Sequence, residues 1–280
     1  MKGNLLKINA VLIIAVILVW LFIPSYFPFL TEALNSVQSS VKVSGYNIQR
    51  ALQVNSIVNA QTSNHSNLVI IFDDGYECVF LNAYPVLKKY NYKANISVIG
   101  SLIGEYEYMS DVQLGKLYLD GYDMLNHSFN HKQEVALSKN ELIKEYRRCK
   151  IKLLSKGYYR GFNIIVLPGG KYIGSHLDIA SDGKYKAIRS LDECYITKKE
   201  KVTDIEMINV YGSRSIDEIL SLITEYKNQG KNIILIFHRI NIEKSTSDMD
   251  ISKKTLIRIL GHIDREDINV LTFSKLLETY

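Results

Sequence analysis

Leu68-Val69-Ile70-Ile71-Phe72-Asp73-Asp74-Gly75 decides how this chain is organised. Five apolar residues in a row describe a strand buried on both faces. Two adjacent carboxylates and a glycine then mark the turn at its end. A second stretch repeats the design: Tyr122-Asp123-Met124-Leu125-Asn126 runs into His127-Ser128-Phe129-Asn130-His131. Each motif stands where a predicted strand stops. Together they put two carboxylates and two imidazoles at one end of an α/β domain. One carboxylate with two histidines is a metal-ligand set that leaves coordination positions open. A second carboxylate beside it is a candidate base. The four-residue spacing of His127 and His131 predicts one turn of helix aiming both rings at a common point.

Outward from these motifs the pattern alternates. Further strands are expected over 94–99, 162–167, 187–190, 206–210, 232–237 and 269–271. Helices are expected over 78–90, 110–121, 138–157, 215–230, 252–264 and 273–278. Ser110 and Ser138 open two of them, the second with a capping box to Glu141, and Ser215 caps another; Gly121, Gly157 and Gly230 close them. Repeated βα units imply parallel strands covered on both faces. The expected fold is α/β, a distorted (β/α) barrel of about seven strands, complete or incomplete. In barrels functional residues lie at the C-terminal ends of strands. Asp73, Asp74, His127, His131 and His238 all fall there.

The ends and the bulk numbers set location and class. The chain has 280 residues, 47% of them hydrophobic, with a net charge of +5. That size suits one large domain. The modest charge, read as scattered Lys and Arg, gives no support for a nucleic-acid partner and suits an anionic membrane or cell-wall surface. Cys78, Cys149 and Cys194 have no metal-ligand spacing and form no disulfide framework. Residues 1–30 carry Lys2 and Lys7 before an apolar run from Ile8 to Ile23. They read as an uncleaved signal-anchor or a cleaved signal peptide, with the rest of the chain outside the cytoplasm. Residues 31–66 read as a stalk with one short helix over 46–54, and 67–280 as the catalytic domain.

The motifs resemble those of the polysaccharide deacetylases, the NodB-homology or carbohydrate esterase 4 family. Ile71-Phe72-Asp73-Asp74-Gly75 is similar to their first motif and His127-Ser128-x-x-His131 to their second. Leu235-Ile236-Phe237-His238 is similar to their last. The resemblance covers roughly residues 67–280. It implies a distorted barrel that removes acetyl groups from an N-acetylated polymer such as peptidoglycan, a chitin-like chain or poly-N-acetylglucosamine. It implies that Asp74, His127 and His131 bind a divalent metal, zinc or another ion such as cobalt. It implies Asp73 as general base, His238 as general acid, and Ser128 as a support of the metal loop. Pro168 and Gly169 stand where the third motif would help bind the oxyanion.

Two departures stand out. The third motif often carries an arginine two residues before its proline, where it holds the base. Val166 stands there, which predicts a differently oriented Asp73. Some members acting on exopolysaccharide also lack that arginine. The fourth motif, an aspartate and a tryptophan brought to the acidic histidine, is not visible; Trp20 is the only tryptophan and Asp192 a weak substitute. These departures keep two alternatives open: a non-catalytic sugar-binding scaffold on the same fold, and an O-acetyl esterase. His65, His176 and His262 read as solvated or structural.

Overall fold

Eleven strands are seen among the described residues, in chain order β1 (Asn67–Phe72), β2 (Asn95–Val98), β3 (Asp123–Asn126), β4 (Ile164–Val166), β5 (Ala187–Arg189), β6 (Cys194–Ile196), β7 (Ile205–Asn209), β8 (Asn232–Phe237), β9 (Arg239–Asn241), β10 (Asp250–Ser252) and β11 (Asn269–Leu271). The structure, a computed structural model, describes residues 66–280 apart from 133–135, 172–177, 180–183, 197–201 and 243–246. These belong to one compact unit, Asn64–Tyr280. The expected membrane segment over 1–30, the stalk with its helix, His65 and His176 lie outside the described residues. Among the described residues no helix is long and apolar enough to cross a membrane.

The main sheet has nine strands, in the order β6-β5-β4-β3-β2-β1-β8-β7, with β11 on β1. β1 is its most shared member. It pairs with β8 along its length, with β2 through Ile71 and Phe72, and with β11 through Asn67 to Val69. All pairings in this sheet are parallel except β5 with β6. The sheet curls into a nearly closed barrel. A backbone bond from Val202 N–H to Cys194 O, 3.0 Å, links the two ends. The strand count exceeds the seven or so expected because β6 turns back antiparallel after Ser190, a three-residue strand too short to announce itself by pattern.

The helices are α1 (Tyr84–Lys89), α2 (Asp111–Leu119), α3 (Lys139–Ser155), α4 (Ile216–Asn228), α5 (Lys253–Arg265) and α6 (Phe273–Leu276). Ser110 with Gln113 and Ser138 with Glu141 form the capping boxes that open α2 and α3. Ser215 precedes α4 but makes no side-chain cap, contrary to expectation. The single helix expected over 78–90 is split into a π-helical turn, Val79–Ala83, and α1. Pro85 has no N–H to continue an α-helical ladder upstream, and it sits in the first turn of α1, where none is needed.

Strand alternation sorts the core into two layers. Val69, Ile71, Leu125, Ile164, Val166, Ala187, Ile234 and Ile236 fill the barrel interior with Phe273 and Leu276. Leu68, Ile70, Phe72, Ile96, Met124, Leu235 and Phe237 face outward and pack against the helices. α6 plugs the bottom of the barrel. Two buried strand residues hold its N-terminus: Asn95 Oδ1 accepts from Phe273 N–H at 2.8 Å, and Asp123 Oδ2 from Ser274 N–H at 2.9 Å. Asn95 also donates from Nδ2 to Ile70 O at 2.7 Å. Asn95 is fully buried, so removing its amide strands two backbone groups. Asn95→Ala is expected to lower unfolding stability by about 2–6 kcal/mol, from two unmet partners at about 1–3 kcal/mol each. Denaturant melts of the variant measure it.

Candidate active site

The same alternation that fills the interior delivers the polar groups to the barrel mouth. Val69 and Ile71 point inward, and the next residue of that parity is Asp73. Leu125 leads to His127, Ala187 to Arg189, and Ile234 and Ile236 to His238. Asp73, His127, Arg189 and His238 are all buried. Asp73 N–H donates to Phe237 O at 2.8 Å, which sets the base candidate beside the residue that precedes His238.

Asp74 and the two histidines converge. Asp74 Oδ1 lies 3.2 Å from His127 Nε2 and 3.3 Å from His131 Nε2. One ligand atom from each of the three lies within 4.8 Å of the others. The set fits a divalent cation on three counts. It is a two-histidine, one-carboxylate group. Asp74 and His127 are buried, and His131 is half-buried and faces the open side. His127 Nδ1 is engaged by Val166 O at 2.8 Å, so Nε2 is left to bind the ion.

The loop that carries this set is not the expected helical turn. Ser128 and His131 both have left-handed backbones, with φ of 59° and 52°. Ser128 N–H donates to Asn126 Oδ1 at 3.2 Å, and His131 N–H to Ser128 Oγ at 3.0 Å. Glu145 on α3 clamps Asn130 through its backbone N–H and Nδ2, both at 2.7 Å. These side-chain bonds replace a helical ladder and bring the two rings to a centroid distance of 4.8 Å. Asp74 itself needs φ of 71° and is followed by Gly75 at 80°, which turns the chain sharply away from the strand.

Asp73 is held by an arginine despite Val166. Arg189 Nη2 donates to Asp73 Oδ1 at 2.7 Å and also to Oδ2, and Ser97 Oγ donates to Oδ1 at 2.7 Å. Arg189 stands directly beside Val166 in the β4–β5 register. The arginine missing from one strand is supplied by its neighbour, so the guanidinium reaches the same carboxylate. Burial pushes the Asp73 carboxyl up, but Arg189, His127 and His238 outweigh it and hold it far below the usual carboxylate range. Arg189 and Ser97 are the residues that the motifs did not reveal. A signal was present: an arginine inside a short strand buried on both faces needs a carboxylate partner.

His238 sits at the mouth with Nδ1 buried and, among the described residues, without a hydrogen-bond partner. Burial lowers its pKa, and the Asp73 and Asp74 carboxylates only partly offset this. Asp192 does not orient it. Asp192 is exposed, and its backbone N–H donates to Ser190 Oγ in the turn between β5 and β6. Pro168 and Gly169 lie in a short 3₁₀ turn after β4, at the same end of the barrel, with Pro168 buried and Gly169 exposed. That turn is tied to the end of β5 by Leu191 N–H donating to Gly170 O at 3.2 Å. Away from the mouth, His262 Nε2 pairs with Thr224 Oγ1, a structural contact. Cys78, Cys149 and Cys194 are all unpaired. Burial pushes the Cys149 and Cys194 thiols up to about 12, which makes them inert.

A parallel barrel thus gathers at its mouth a two-histidine, one-carboxylate set that could hold a metal ion, beside an arginine-held aspartate. Residues 60–188 match the family model described as polysaccharide deacetylase. It is 32% identical over 119 residues to a putative polysaccharide deacetylase, YxkH, of Bacillus subtilis, covering 42% of each chain. It is 30% identical over 142 residues to a poly-β-1,6-N-acetyl-D-glucosamine N-deacetylase of Staphylococcus aureus, covering 46% of this chain and 49% of that one. These matches span about half the length of the curated relatives. Among solved structures, the Bc1960 peptidoglycan N-acetylglucosamine deacetylase shares the fold, with a TM-score of 0.59 at 15% identity, over 78% of this chain and 90% of that one.

Arg189→Ala leaves Asp73 as a buried carboxylate without its cation, an expected loss of about 3–5 kcal/mol. The sign of the pH dependence follows. A carboxyl held low in the folded state contributes stability above its unfolded value near 4, and that stability fades as pH falls toward the folded value. Urea melts from pH 7 down to pH 3 should show the wild type losing stability more steeply than Arg189→Ala.

Proposed function

We propose that this chain is a metal-dependent hydrolase that removes N-acetyl groups from an N-acetylhexosamine polymer outside the cytoplasm. One observation carries the proposal: Asp74, His127 and His131 converge beside a buried Asp73 that Arg189 and Ser97 hold in place, with His238 at the same mouth. The family supports the bond class, and the Staphylococcus aureus relative favours a poly-N-acetylglucosamine exopolysaccharide over peptidoglycan or a chitin-like chain. Residues 1–30 would tie the domain to the membrane, or deliver it for secretion if they are cleaved.

The roles follow from the geometry. Asp74, His127 and His131 would hold the metal, zinc by preference from the imidazole and carboxylate donors, with cobalt as a substitute. When bound it supplies Lewis acidity for the amide carbonyl and lowers the pKa of water. Asp73 stays ionised under Arg189, so its free lone pairs can accept the proton of the attacking water. Arg189 and Ser97 fix the carboxylate's orientation, which spares reorganisation as the proton moves. His238, directly after β8, the strand paired with β1, would deliver a proton to the departing amine. A backbone N–H near Gly169 would add an oxyanion donor.

A second proposal, a sugar-binding scaffold, is favoured by the unpartnered Nδ1 of His238. The two separate cleanly. Full-length protein is to be assayed for acetate release from poly-N-acetylglucosamine, peptidoglycan and an O-acetylated polymer, with zinc, with cobalt and with chelator. The expected outcome is release from an N-acetylated polymer, abolished by chelator and restored by metal. Asp73→Asn should lower kcat by about 10²–10⁴-fold with the metal still bound. His131→Ala should lose the metal itself, read by titration calorimetry. Release confined to O-acetyl esters would turn the proposal to an esterase. Absence of both release and metal would leave the scaffold.

A further inference from the structure

α3 carries a second, partly exposed face beside its core stripe. Its core stripe is Leu142, Glu145, Tyr146, Cys149 and Leu153. A separate stripe, Ile143, Ile151 and Leu154, follows the helical period on another side. With Ile179 and Tyr185 opposite, it lines a surface cavity of about 450 Å³. Ile151 is 55% exposed on the solvent side of the helix.

Cations surround this stripe. Within its 17 residues α3 holds Lys139, Lys144, Arg147, Arg148, Lys150 and Lys152, against only Glu141 and Glu145. Both acids are already engaged, Glu141 in the capping box and Glu145 in the clamp on Asn130. Lys139 pairs with Asp178. Arg148 stacks over the Phe129 ring at 3.8 Å, and Lys150 lies over Tyr185 at 4.6 Å. Arg147 and Lys152 have no carboxylate partner among the described residues. By helical period Lys139, Lys144, Arg147 and Lys150 lie on the side of this stripe, around the half-buried Leu154 and the exposed Ile151, while Arg148 and Lys152 lie further round the helix; Lys144, like Arg147, has no carboxylate partner among the described residues.

We infer that this face of α3 docks on an anionic lipid surface. Cations ringing an aliphatic stripe match anionic headgroups over an apolar interior. A hydrophilic polyanion would pair with the cations but would leave Ile151 and Leu154 with no gain. The same chain bears the apolar run from Ile8 to Ile23, which brings it within reach of a bilayer. α3 also holds the metal-ligand loop through Glu145 and Arg148, so docking would fix that loop relative to the surface. The inference is independent of which bond the site cleaves.

The test uses the full chain. Trp20, its only tryptophan, is changed to Phe, and Ile151→Trp then puts a single emitter on the face. Vesicles contain brominated phosphatidylcholine, with or without phosphatidylglycerol. The expected result is loss of emission with phosphatidylglycerol present, recovered in high salt and in Lys144→Glu/Arg147→Glu. Each reversed charge should weaken contact by about 25-fold, the square of the roughly fivefold worth of one cation, since a reversal removes one attraction and adds one repulsion. A chain held only by its N-terminal segment would leave position 151 in water. Unchanged emission, or equal quenching without phosphatidylglycerol, would overturn the inference. Unchanged emission with salt-sensitive retention on heparin would overturn it in favour of a polyanion partner.

Discussion

The buried pair of Asp73 and Arg189 is the interaction on which the candidate site depends. A carboxylate this deep is tolerable only when paired and hydrogen-bonded. Arg189 supplies the charge and Ser97 a hydroxyl donor. Three strands, β1, β2 and β5, therefore meet at one carboxylate, and their register at the mouth is fixed by that meeting. The cost of burying these charges is offset only if all three strands keep their places, which makes the pair a device for order more than for net stability.

The metal-ligand set depends on the same frame. His127 is aimed by Val166 O from β4, so the strand that lacks the family arginine still serves the site through its backbone. Val166 and Arg189 face each other in register. From the neighbouring strand the guanidinium still reaches Asp73, because Val166 and Arg189 share one register position and one parity at the mouth. Function in such a barrel is a property of the rim, and the rim accepts equivalent groups from neighbouring strands.

α3 links chemistry to surroundings. Its inner face builds the core, its N-terminal half clamps the metal loop through Glu145, and its outer face gathers cations around aliphatic side chains. At the other end of the barrel, Asn95 and Asp123 hold α6 as a plug. The interior is thus closed below by apolar side chains and open above to polar ones. That asymmetry makes the mouth the site of water access.

The sequence by itself determined the alternating strands and helices, the capping boxes at Ser110 and Ser138, and the end of the barrel where Asp73, Asp74, His127, His131 and His238 gather. These are local: hydrophobic period, cap residues and turn residues act over a few positions. It also carried the family motifs. It misjudged the His127–His131 segment, where loop hydrogen bonds from Ser128, Asn126 and Glu145 override the helical spacing. It could not show that Arg189 replaces the absent arginine, since 116 residues separate it from Asp73. Nor could it show β6, or the gathering of cations and aliphatic side chains into one surface. Only tertiary structure decided these, because strand register and helix packing choose which distant side chains meet.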